Sequence, residues 1–80
     1  MMTSPEVDFK VAFGIAREFV RQWMELRGLT VLTVPQATEL MNMLSSHLAI
    51  HMQGRVGAMH FEGARKAVLL RCPKAQRPLN

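Results

Sequence analysis

Hydrophobic and polar positions in residues 5–27, PEVDFKVAFGIAREFVRQWMELR, repeat with the period of an α-helix. At about 100° per residue, Phe9, Ala12, Phe13, Ala16, Phe19, Val20, Trp23 and Leu26 fall on one side. Lys10, Arg17, Glu18, Arg21, Gln22 and Glu25 fall on the other. Val11 and Ile15 widen the apolar side on one flank and Met24 on the other, to an arc of roughly 220°, where a surface helix needs little more than about 100°. One neighbouring helix cannot cover that arc. Either two other elements of the chain wrap it, or part of it meets another molecule. A homodimer is therefore expected, with Val11, Ile15, Trp23, Met24 and Met43 as candidate interface residues. Ser4 followed by Pro5, or Thr3 with Glu6 three residues on, marks the start of the helix, and Gly28 marks its end.

Residues 29–34, LTVLTV, are β-branched but run straight into Pro35, so they read as an extended connector that closes one end of the core. Thr33 with Gln36 three residues later, and Pro35 between them, predicts a second helix that runs to about Gln53 and stops at Gly54. Ala37, Leu40, Met41, Leu44, Leu48 and Met52 line one face of it. The opposite face, with Thr38, Asn42, Ser45, Ser46 and Gln53, is polar yet almost uncharged, as the centres of interfaces are.

Residues 56–72 admit two readings. A helix over 58–71 places Phe61, Ala64, Val68, Leu69 and Cys72 together, with Arg65 intruding, although Gly57 and Gly63 weaken it. A β-hairpin would pair 56–61 with 66–72, but the second strand lacks clean alternation. The helix is favoured. The expected fold is mainly α: two long amphipathic helices and a third C-terminal element form one domain over residues 1–72, and 73–80 form an extended basic tail.

Composition narrows the classes of function. Eighty residues make one domain with a small core, and 49% apolar residues exclude a disordered chain. The longest unbroken apolar run is the four residues 67–70, so no membrane association is expected. The start, MMTSPEVDFK, has no basic region followed by an apolar stretch, and a lone cysteine builds no disulfide framework; a cytoplasmic protein is expected. Ten Lys and Arg against six Asp and Glu give +4. The excess is C-terminal: Arg55, Arg65, Lys66, Arg71, Lys74 and Arg77 stand there against Glu62 alone. These six are the candidate partner-binding residues, and an acidic or anionic partner fits them.

Catalytic chemistry finds little to use, and neither enzymatic activity nor a cofactor is expected. His47 and His51 are spaced i,i+4, a spacing that can seat two imidazoles on one metal, but the glutamate of an HExxH protease is missing. His51 falls near the centre of the apolar face and His47 at its edge, which reads as hydrogen-bonded core histidine ahead of the alternative, a metal site with Cys72 as third or fourth ligand. Cys72, between Arg71 and Lys74, reads in two ways: a reachable thiol that joins two chains through an intermolecular disulfide, or the last buried residue of the third element. The segment 54–57, GRVG, lacks the GK[ST] ending of a phosphate loop.

Nucleic-acid binding has the basic third of the chain in its favour. Against it, Tyr is absent and only Phe61 stands among the basic residues, so base stacking has little to work with. Residues 38–55 fit one unbroken helix better than a helix-turn-helix, because Met41 and Ser45 occupy positions that need a small residue and a glycine. The reading that leads is a non-catalytic protein-binding module, with Met24, Met41, Met43, Met52 and Met59 supplying adaptable surface or core. In size and character, though in no motif, the chain resembles the small proteins with which phages and mobile elements block host machinery, anti-CRISPR proteins among them. That resemblance implies inhibition by docking on a partner, a nucleoprotein complex included. With Arg65, Lys66, Arg71, Lys74 and Arg77 the chain cannot mimic DNA, so it would cover an acidic protein surface or intercept nucleic acid.

Overall fold

The computed structural model describes residues 4–76, folded as α1 (Pro5–Leu26), α2 (Val34–His51), α3 (Ala58–Leu69) and a single turn, α4 (Pro73–Gln76). Among the described residues there is no strand, so the domain is mainly α and the third element is a helix rather than a hairpin. No helix among them is long and apolar enough to cross a membrane.

The first two helices begin where their caps dictate. The Ser4 hydroxyl accepts the Val7 amide at 3.2 Å, Pro5 takes the first turn, and Glu6 and Asp8 set negative charge at the positive end of the helix dipole. Thr3, the other candidate cap, lies outside the described residues. Thr33 and Gln36 cap α2 reciprocally: the Thr33 hydroxyl accepts the Gln36 amide at 3.3 Å, and the Gln36 side-chain oxygen accepts the Thr33 amide at 2.9 Å.

α1 and α2 end in left-handed turns. Gly28 adopts φ 65°, its amide reaches the Glu25 carbonyl at 3.2 Å, and the Leu29 amide reaches the Met24 carbonyl at 2.9 Å. After α2 the same turn comes slightly earlier than the sequence predicts. Gln53, not Gly54, is the first left-handed residue, at φ 54°, and Gly54 follows at φ 81°. The Gly54 amide donates to the Ala49 carbonyl at 2.7 Å.

α1 and α3 lie side by side, run in the same direction and touch closely. A Cβ on Gly63 would overlap the carbonyl oxygen of Phe9 and sit 3.0 Å from the backbone nitrogen of Phe13. Small residues line the rest of this seam: Ala12 and Ala16 from α1, Ala64 and Ala67 from α3, all buried. Backbones this near leave no room for large side chains between them. Phe9 and Phe13, expected at the middle of the core, are half-buried at its edge, their rings stacked with centroids 6.3 Å apart. Leu26 and Phe61, also expected inward, are 85% and 41% exposed, because no described element covers them.

α2 packs on the pair and contributes Ala37, Leu40, Leu44 and Leu48 to the core, where they join Val20, Met24 and Val68. The connector closes the end of the bundle as expected. Leu32 is buried and its amide donates to the Arg71 carbonyl at 2.7 Å, while the Arg71 guanidinium reaches the Thr30 carbonyl at 3.4 Å. Residues 73–76, expected as extended tail, form the helical turn α4 against α3 instead, with Pro73 in its first position. The rest of the expected tail, from Arg77 on, lies outside the described residues.

Two substitutions test this account. Gly63→Ala should lower the free energy of unfolding, read from urea denaturation, by about 2 kcal/mol or more, because overpacking against backbone outweighs the gain of about 1 kcal/mol in helix propensity. Unchanged stability would mean that α1 and α3 do not meet at this glycine. Gln53→Gly should act oppositely and raise that free energy by about 0.5–1 kcal/mol, by relieving a side-chain-bearing residue of left-handed geometry.

Candidate functional site

Of the basic residues singled out in the sequence, Arg55, Arg65, Lys66, Arg71 and Lys74 are exposed, and Arg77 lies outside the described residues. Arg65 stands 4.0 Å from Glu62, a loose surface pair. What gathers part of the five is the alignment of α3 along α1, which brings basic residues of the first helix beside Arg71.

The result is a cleft of about 360 Å³ on the α1–α3 seam, with Val20, Ala67 and Leu70 as its apolar part and Arg17, Glu18, Arg21 and Arg71 as its polar part. Lys66, one turn before Leu70 on the same flank of α3, extends the basic rim. The arginines differ in their freedom. Arg21 is held on the helix surface by two hydrogen bonds to Glu18 and one, at 2.8 Å, to Glu25. Those bonds, to Glu18 first, push its guanidinium further toward the charged form. In turn the hydrogen bonds from Arg21 and then Gln22 hold the Glu18 carboxyl below its ordinary range. Among the described residues Arg17 makes no ion pair, and the one hydrogen bond of the Arg71 guanidinium goes to the Thr30 carbonyl at 3.4 Å. Two available guanidiniums beside an apolar floor make a surface that favours acidic groups carried next to apolar ones.

Sequence reasoning missed Arg17 and Arg21, placing both on the solvent face of the first helix. On the helical wheel Arg17 lies about 40° from Phe13, at the rim of the apolar arc, and Arg21 lies about 40° further out on the polar side. What the sequence lacked was the element that meets that rim.

The candidate residues for an interface between copies divide. Met24 is 1% exposed and Trp23 is buried, its ring covered by the Arg27 guanidinium 4.0 Å from the centroid, so both belong to the fold. Val11 is 43% exposed, and Ile15 and Met43 are half-buried, so these three remain surface residues.

The histidines exchange the roles read from the sequence. His51, expected inside, and His47 are both exposed, and their rings stack with centroids 6.2 Å apart. The buried one is His60. Its Nδ1 accepts the Gly57 amide at 2.8 Å, completing the first turn of α3 where glycine offers no capping side chain. That bond puts the ring proton on Nε2, which faces an Asp8 carboxylate oxygen at 3.5 Å and ties α3 to the start of α1. Among the described residues no group of three or more His, Cys, Asp or Glu side chains is placed to hold a metal.

No protein-family model matches the chain, and no curated protein or solved structure is detectably similar to it.

Cys72 is fully buried, so the reading of a reachable thiol and an intermolecular disulfide gives way to that of a small core residue. The reason is geometric: the chain turns inward after α3, and the Cys72 amide donates to the Leu69 carbonyl at 3.0 Å. In the folded protein a thiol reagent should modify Cys72 on the order of a hundredfold more slowly than in denaturant, since attack needs local opening. Non-reducing electrophoresis should show no disulfide-linked band. Fast modification or a reductant-sensitive dimer would place the sulfur outside the core.

Proposed function

We infer that this chain is a non-catalytic binding protein that docks on an acidic surface of a partner macromolecule through the α1–α3 seam. The observation that supports the reading is the cleft itself. Arg17 and Arg71 come from distant parts of the sequence and stand over the apolar floor of Val20, Ala67 and Leu70, and among the described residues neither forms an ion pair, although the Glu18 carboxylate shares the cleft with them. An acidic loop or helix end of a protein that carries apolar residues beside its carboxylates matches both halves of this surface. Blocking a host complex by occupying such a surface, in the manner of anti-CRISPR proteins, is the biological form of docking that the resemblance in size and character implies.

Nucleic acid is the second reading, supported by the same basic rim extended by Lys66. The two differ in what a nuclease does. Affinity capture from a host lysate, with and without nuclease, should recover a partner that survives digestion and elutes with moderate salt. Arg17→Glu, Lys66→Glu and Arg71→Glu together should weaken that capture on the order of tenfold or more, with helical content unchanged by circular dichroism. Loss of every partner to nuclease would replace the protein reading with the nucleic-acid one. Capture indifferent to both the triple reversal and salt would remove the seam as the site.

A further inference from the structure

Opposite the basic seam, a second surface follows the junction of α1 and α2. On α1 the stripe is Val11, Ile15 and Phe19; on α2 it is Met43, His47, Ile50 and His51. The stripes join where the Phe19 ring meets His47, with centroids 5.1 Å apart. Neither contains a charged residue, in a chain with sixteen Lys, Arg, Asp and Glu, and Ile50 is 80% exposed. In its middle stand the two exposed imidazoles, one helical turn apart and nearly parallel, with 23° between their planes.

We propose that His47 and His51 form half of a binding site for a divalent transition metal of the zinc type, and that a second copy of this chain supplies the other half. Two imidazoles at i and i+4 on an exposed helix face reach one metal ion by small side-chain rotations, with metal–nitrogen distances of about 2.0–2.1 Å. The sequence argument against metal binding was that His51 belongs to the core, and its exposure removes that argument. One chain supplies two ligands, and no third His, Cys, Asp or Glu among the described residues stands with them. A structural zinc site needs four.

A two-fold copy of the same pair provides the missing two with the same chemistry. The surroundings choose a second copy over water or an acidic partner. Chains of net charge +4 repel wherever their charged faces meet, and this stripe is where two copies can approach with apolar groups alone. Ile15, Phe19, Met43 and Ile50 would then pack around the metal and exclude water from it. Phe19, lying against His47, restricts the ring's freedom and so lowers the entropy lost on coordination.

The test uses the full chain without a polyhistidine tag, titrated with zinc chloride at mildly alkaline pH, where imidazole is neutral. Calorimetry should give one zinc per two chains, and light scattering on the same samples should show the mass double with zinc and return with a chelator. His51→Gln should weaken zinc uptake at least tenfold and abolish the doubling while leaving the melting temperature of the metal-free protein unchanged, because the side chain is exposed. His47→Gln should match it in both respects, and His60 stays in place throughout as an internal control. Uptake no stronger than in a chain carrying both His47→Gln and His51→Gln, binding of one zinc per chain without a change of mass, or a dimer indifferent to chelator and to His51→Gln would each overturn the proposal.

Discussion

The contact on which the rest depends is between two backbones. Gly63 rests against the Phe9 carbonyl and the Phe13 amide nitrogen, at a separation that excludes even a methyl group. That contact fixes how α3 lies along α1, and several features follow from it. His60, three residues earlier, comes to the start of α1 and faces Asp8. Ala64 and Ala67 meet the alanines of α1, and Leu70 and Arg71 arrive beside Arg17 and Val20. Both the small-residue core and the basic cleft are consequences of one glycine with no side chain.

Close approach also explains why the core is built from modest residues. In a small domain large aromatic side chains supply most of the apolar burial, and this chain has three Phe and a Trp on one helix. Yet the fully buried positions of α1 are Ala12, Ala16, Val20 and Met24, and the bulk comes from Leu40, Leu44 and Leu48 on α2. Tight backbone packing gains dispersion contacts over many small groups and moves the aromatic rings to the margins. The margins are thereby apolar and half-open, which leaves the flattened molecule, 39 × 33 × 16 Å, with surface suited to association.

Signals that act within a few residues were readable from the sequence. The cap formed by Ser4 and Pro5, the reciprocal pair Thr33 and Gln36, and the left-handed Gly28 each depend on local hydrogen bonds, and each stands where the residues put it. Signals that depend on a neighbour were not. Gly63 reads as a helix breaker in isolation because its value lies in the helix it touches. His51 reads as core from its position on the wheel, since the wheel cannot show that the α1–α2 junction is open at its level. Arg17 and Arg71 are 54 residues apart and belong to one cleft only through the α1–α3 alignment. The same limit hid His60, whose capping role is local but whose burial against Asp8 is not.

The width of the apolar arc on α1 ties these results together. An arc of roughly 220° is about twice what one packing partner requires. α3 takes the flank of Phe9 and Phe13, and the core takes the centre at Ala12, Ala16 and Val20. The remaining flank, Val11, Ile15 and Phe19, meets only the edge of α2. One helix therefore borders two surfaces of opposite chemistry, arginine-rimmed on one side and uncharged on the other, with a buried ridge between them. Residues on that ridge are fully enclosed, so neither surface can spread across it, and a large charged partner on one side leaves the other side free. An acidic partner on the basic flank and a second copy on the uncharged flank, as proposed above, would therefore not compete, since the helix that separates the two surfaces also supports them.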